Sequence, residues 1–169
     1  LQLQLLFACG ALPWFPVSLM SNPPSPATVW PVFMTAHAVL VEQVEARLAE
    51  AGLPALAWYD VLWALERAEG GRMRLAGLAE KTVLSRSNMT RLVDRLEEAG
   101  LVRRERAPED RRGAFAAITQ EGRAMRARMW PVYGEAIGAL FESHLAPGEA
   151  EVMRAALLRM LAAARPPRE

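Results

Sequence analysis

Cysteine occurs once in this chain of 169 residues, as Cys9, and histidine twice, as His37 and His144. A disulfide framework is therefore excluded, and so is a zinc cluster built from Cys and His. The same scarcity argues against hydrolytic chemistry. A Ser/His/Asp or Cys/His arrangement would have to recruit His37 or His144, and neither lies in a nucleophile motif. No G-x-G-x-x-G and no P-loop is present, so the common phosphate cradles are missing. Neither an enzymatic activity nor a cofactor or metal is expected. Lysine is nearly absent too, Lys81 standing alone among 20 basic residues. The chain relies instead on arginine, whose planar fork suits phosphate oxygens, guanine edges and carboxylates; a GC-rich genome produces the same skew.

The 20 basic residues face 19 acidic ones for a net charge of +1, so any basic surface has to be local. Hydrophobic residues make up 52% and charged residues 23%, the balance of one soluble globular domain and not of a disordered chain or a series of membrane spans. No membrane association is expected.

Charge is missing altogether from Leu1 to Val41, where Leu3, Leu5, Leu6, Phe7, Ala8 and Leu12 form an apolar run. The basic n-region of a signal peptide is not there, and Leu6-Phe7-Ala8-Cys9 only loosely matches a lipoprotein cleavage site. Met20, followed by Ser21-Asn22-Pro23-Pro24-Ser25-Pro26, reads as an alternative start with a polar, Pro-rich lead-in. Residues 1–27 are thus expected to be a disordered or non-native extension, and 165–169 a tail. An exported or lipid-anchored protein is the alternative, and it requires residues 1–19 to belong to the native protein. The expected location is the cytoplasm.

From about Thr28 the pattern turns helical. Leu40, Val41, Val44 and Leu48 recur on one face with Glu42, Glu45, Arg47 and Glu50 between them, and Gly52 followed by Pro54 supplies the stop. A second helix carries Trp58, Val61, Leu62 and Leu65 up to the Gly70-Gly71 break. A third, short one spans about Leu75 to Lys81. The fourth has Ser85 as its expected N-cap, Gly100 as its stop, and an apolar stripe of Met89, Leu92, Val93 and Leu96. Its opposite face carries Ser87, Thr90, Arg91 and Asp94. After Gly100 the period changes to that of strands, 101–106 and 114–118, joined by Ala107-Pro108-Glu109-Asp110-Arg111-Arg112-Gly113 as a β-hairpin with a charged tip. Thr119 caps a long helix, kinked at Trp130-Pro131 by the missing N–H. A final helix starts near Pro147-Gly148-Glu149 and carries Met153, Leu157, Met160 and Leu161 on one side.

A short helix, a turn, a capped helix and a two-stranded hairpin is the order of a winged helix-turn-helix, here over about 55–118. The apolar stripe would hold the fourth helix on the domain and leave a small, polar, arginine-bearing face for a major groove. The fold class expected is mainly α with a small β-hairpin, flanked by helices at about 28–52 and 119–164.

Leu78-Ala79-Glu80, Leu84-Ser85, Thr90-Arg91-Leu92-Val93-Asp94-Arg95-Leu96-Glu97, Gly100-Leu101-Val102-Arg103-Arg104, Pro108-Glu109-Asp110-Arg111-Arg112 and Ile118-Thr119-Gln120-Glu121-Gly122-Arg123 together resemble the MarR family of bacterial transcriptional regulators, in order from about Thr28 to Ala164. The resemblance implies a homodimer built by the terminal helices, bound to a pseudo-palindromic double-stranded operator and usually repressing transcription. It implies further that the arginine matching Arg112 enters the minor groove and that the aspartate matching Asp110 braces the wing. Arg86 departs from the proline that many members carry.

The DNA-contacting set read in this way is Arg86, Ser87, Asn88, Thr90, Arg91, Arg95, Arg111 and Arg112. Each has a plainer reading as a solvated charge or polar group, Arg103 is evenly balanced between the two, and Arg104 has the alternative of pairing with an acid inside the domain. Asn88-Met89-Thr90 matches a glycosylation sequon but sits within a helix. Cys9 lies outside the domain, against a thiol sensor. The family commonly seats a small effector, often an aromatic acid or phenol, between the dimer helices and the DNA-binding lobe. His37, Trp58, Asp60, Trp63 and Arg104 are the candidates here, with Trp58 and Trp63 also readable as core. Asp60, Arg91 and Arg104 match charged positions in the urate-responsive branch, which needs in addition a tryptophan on an extra N-terminal helix that the Pro-rich lead-in does not provide. A winged-helix dimer serving as a protein-interaction module without operator binding is the alternative function, and the charged hairpin tip speaks against it.

Overall fold

The computed structural model describes residues 28–82, 86–106 and 114–164. Its elements are α1 (Val29–Glu50), α2 (Leu56–Glu66), β1 (Arg72–Arg74), α3 (Leu75–Lys81), α4 (Arg86–Glu98), β2 (Val102–Arg106), β3 (Ala114–Ile118), α5 (Gln120–Leu140) and α6 (Glu149–Ala164). The chain divides into two units, Leu1–His37 and Ala38–Glu169. In the first, the start of α1 stacks Trp30 on Phe33 and Phe33 on His37, with ring centroids 6.1 and 6.5 Å apart, as neighbours three and four residues apart on a helix do.

In the second unit the fold is mainly helical with a small antiparallel sheet. That sheet corrects the two-stranded expectation: it has three strands in the order β1-β3-β2. Arg72-Met73-Arg74 pairs with Ala117-Ala116-Phe115, and β2 pairs with β3 from Val102↔Ile118 to Arg106↔Ala114. A three-residue strand has no stability of its own, and β1 exists because β3 offers it an open edge.

Helix ends follow local chemistry. At the end of α4, Gly100 has a left-handed backbone (φ +72°), and the Gly100 and Leu101 amides donate to the carbonyls of Glu97 and Leu96 at 2.9 Å each. This is the Schellman pattern, and α1 ends in the same way at Gly52 and Leu53. Thr119 caps α5, its hydroxyl accepting from the Gly122 amide at 3.0 Å. α5 runs through Pro131 as one helix; the ring removes one ladder hydrogen bond without ending the element. Ser85, the expected cap of α4, lies outside the described residues.

The core forms two clusters. Around the sheet, Val61, Leu62 and Leu65 of α2, Leu78 and Ala79 of α3, the α4 stripe, and Leu101, Val102, Ala116 and Ile118 close on one another. Burial of each large apolar side chain contributes about 1.5–3 kcal/mol. A second cluster joins Val44 and Leu48 of α1 to Tyr59, Met129 and Ala136. Glu66 of α2 ties the helix to α5 through an ion pair with Arg126 and another with Arg123 at 3.5 Å. Trp58 packs half-buried against the first cluster.

Candidate functional site

α4 presents the two faces that its sequence spacing demands. Met89, Leu92, Val93 and Leu96 are between 0 and 2% exposed, which fixes the helix rotation about its own axis. Ser87, Asn88, Thr90, Arg91, Asp94 and Arg95 are therefore all exposed. The exposed row begins with small side chains, so a groove floor can come close to this end of the helix. Arg86 is the first residue of α4. Asp110, Arg111 and Arg112 lie outside the described residues.

Arg104 acts as a brace behind that helix. Its guanidinium meets Asp94 at 2.5 Å and Glu97 at 3.7 Å, and its backbone amide donates to Glu97 Oε1 at 2.9 Å. A further bond, at 3.4 Å, runs from the guanidinium to the Thr90 carbonyl. β2 is thereby pinned along α4. The pairing alternative holds for this residue, and Arg104 does not line the cleft described next. Nor does Trp58, which faces the core.

A cleft of about 350 Å³ opens between α2 and the end of α3, lined by Asp60, Trp63, Ala64, Arg67, Lys81 and Thr82. It unites two of the effector candidates, Asp60 and Trp63. The reading of Trp63 as core is corrected here, since the residue is 45% exposed. Val61, Leu62 and Leu65 take the core face of α2, so residue 63 points outward on a helix of 3.6 residues per turn. The Arg67 guanidinium lies 5.2 Å from the Trp63 ring centroid, a cation–π arrangement. His37 belongs to the other unit. Arg67, Lys81 and Thr82 were not among the sequence candidates. For Arg67 a signal existed: it stands four residues after Trp63 and seven after Asp60, on one helix face.

Burial pushes the Asp60 carboxyl above the usual carboxylate range, and the negative charge of Glu45 adds to the effect. Glu45 itself accepts a hydrogen bond from the Leu56 amide at 3.0 Å, joining α1 to the start of α2. Tyr133 of α5 is raised as well, first by burial, then by Asp60 and Tyr59. The Tyr59 and Tyr133 rings meet edge to face at 4.9 Å. Among the described residues no group of three His, Cys, Asp or Glu side chains is placed to hold a metal ion, and no helix is long and apolar enough to cross a membrane.

A family model, that of the MarR family, matches residues 51–113. Among solved structures, AbsC, a MarR family transcriptional regulator from Streptomyces coelicolor, is 32% identical with a TM-score of 0.74 over 81% of this chain and 92% of its own. Sco3205, a MarR family transcriptional regulator of the same organism solved in complex with DNA, is 27% identical with a TM-score of 0.78 over 83% and 89%. CouR from Rhodococcus jostii RHA1, solved bound to p-coumaroyl-CoA, is 30% identical with a TM-score of 0.68 over 85% and 96%. Against the curated HTH-type regulators of Bacillus subtilis that it matches, the chain spans about half of their length or less.

Proposed function

From the membership of this chain in the MarR family of transcriptional regulators, we propose that it is a homodimer that binds a pseudo-palindromic DNA operator and represses transcription until a small effector releases it. In this reading 55–118 forms the winged helix-turn-helix, and 28–52 with 119–164 supplies the dimer helices. The observation that carries it is the division of α4: a fully buried apolar stripe behind, and Ser87, Asn88, Thr90, Arg91 and Arg95 exposed in front. Such a helix is held rigidly and can enter a major groove side-chain first. The structure of Sco3205 with DNA supports the same use of the fold. On this reading Asp110 braces the wing, Arg112 enters the minor groove, whose narrow A·T stretches attract arginine, and Arg111 is a further DNA contact.

The effector reading rests on the cleft. Trp63 offers a ring face, Arg67 and Lys81 offer positive charge, and Asp60 offers a carboxyl that burial makes easier to protonate. An aromatic or phenolic ligand, with or without an acid group, fits these walls, and CouR with p-coumaroyl-CoA is a precedent in a similar protein.

Selection of bound duplexes from a random pool tests the operator claim. The expected product is an inverted repeat with half-sites about 10 bp apart, and insertion of half a helical turn between them should abolish tight binding. A pool that yields no enriched sequence favours the interaction-module reading.

A further inference from the structure

The outward face of the sheet carries a concentration of arginine with no role so far. The registers set Arg72, Ala117 and Arg103 in one cross-strand row and Arg74, Phe115 and Glu105 in the next. Val102, Ala116 and Ile118 turn to the core, so by strand alternation these two rows share the opposite face. The guanidinium groups of Arg72 and Arg74 lie 5.5 and 5.1 Å from the Phe115 ring centroid. Arg72 and Arg103 also reach Glu105, at 3.2 and 2.7 Å. Hydrogen bonds from Arg103 and then Arg72 hold the Glu105 carboxyl below the usual carboxylate range. Arg72 and Arg103 thus share one carboxylate, while Arg72 and Arg74 share one ring. The side chains of Arg72 and Arg103 remain 55% and 61% exposed.

Ordinary edge protection explains charged residues on an edge strand, yet it does not explain why they converge on a single ring. Stacking on Phe115 and bridging through Glu105 hold the forks in place before any partner arrives, which lowers the entropy lost on binding an anion. Arginine forks match phosphate oxygens in pairs. We propose that this sheet face grips DNA phosphates beyond the operator half-sites, with Arg72 and Arg74 as its principal contacts. The inference rests on the DNA-binding reading above. DNA is favoured over an acidic protein by continuity: β1 leads directly into α3, the first helix of a motif in which that helix crosses the phosphate backbone.

The experiment compares the full-length parent with Arg72→Gln/Arg74→Gln on two duplexes, one ending at the half-site edges and one extended by about 10 bp on each side. Lengthening should steepen the parent's salt dependence by about two to four units per dimer, at about 0.9 for each phosphate neutralised. The double variant should lose that increment, bind the long duplex several-fold more weakly, and match the parent on the short one. Phe115→Leu, which removes the platform and keeps every charge, should lose part of the increment; thermal melts establish that both variants fold. Equal salt slopes for parent and double variant on the long duplex overturn the proposal, as does an equal loss on both duplexes. A parent that binds neither duplex overturns the operator reading and this one together, whereas a parent whose slope ignores duplex length overturns this one alone.

Discussion

Gly122, in the first turn of α5, lies so close to Leu101 that a side chain there would collide with the Leu101 carbonyl oxygen, and would approach Ile118 Cγ1 to 2.9 Å. The closeness has a source. Thr119 donates its amide to that same Leu101 carbonyl at 3.1 Å and its hydroxyl to the Gly100 carbonyl at 2.8 Å. The end of α4, the start of β2 and the start of α5 are thereby knitted into one joint. Gly122→Ala should destabilise the protein by about 1–3 kcal/mol, because backbone cannot move aside as a side chain would. Thr119→Ala should cost about 0.5–2 kcal/mol through the lost cap. Urea unfolding of both variants measures this, and a neutral Gly122→Ala would contradict the packing described.

α6 has no buried residue. Val152, Met153, Leu158, Met160 and Leu161 are all exposed, Val152 to 72% and Met160 to 63%. So many large apolar side chains left exposed on one helix mark a surface awaiting a partner, and two-fold pairing of identical chains is the commonest way to cover it. Sedimentation at micromolar concentration should show a dimer with no monomer. Leu161→Glu with Met160→Glu should shift the protein towards monomer and weaken operator binding in parallel. A clean monomer for the parent would remove the basis for two-fold operator recognition.

Asp60 makes stability depend on pH in an unusual direction. Burial and Glu45 raise its carboxyl above the unfolded value, so between the two values the folded state binds more protons than the unfolded chain. Stability supplied by the protonated group is present below that window and falls as pH rises through it. Asp60→Asn should flatten the fall and leave the protein at least as stable as the parent near neutral pH. Thermal melts from about pH 4 to 7 test this; a variant with the same pH slope as the parent would show that Asp60 is not the group responsible.

Features set by local chemistry were legible in the sequence. Gly52, Gly100 and Thr119 end or begin helices through bonds within a few residues of themselves, and the α4 stripe repeats at helical spacing. β1 was missed because Arg72-Met73-Arg74 is too short to display a period and owes its form to β3, more than forty positions along the chain. Trp63 was misread because size favoured burial, although the positions of Val61, Leu62 and Leu65 already turned residue 63 outward. The wall of the cleft that α2 supplies, Asp60, Trp63, Ala64 and Arg67, was legible as one helix face. The opposite wall, Lys81 and Thr82, arrives through the packing of α3 on α2, which no local pattern displays.

The two arms of the DNA site should fail differently. Arg91 stands on the exposed face of α4 among small polar side chains, so on the proposed reading it meets base edges or the phosphates beside them. Arg91→Ala should act mainly on the operator, at about 1–3 kcal/mol if the contact is a bidentate one to guanine. On the same reading Arg112 would sense minor-groove width and carry little sequence information. Arg112→Ala should therefore weaken operator and non-operator DNA alike and lower the salt slope by about one unit. Salt titrations on both kinds of duplex, with each variant checked as a folded dimer, separate the two effects. If Arg112→Ala binds as tightly as the parent at every salt concentration, the wing does not enter the groove, and the interaction-module reading becomes the stronger one.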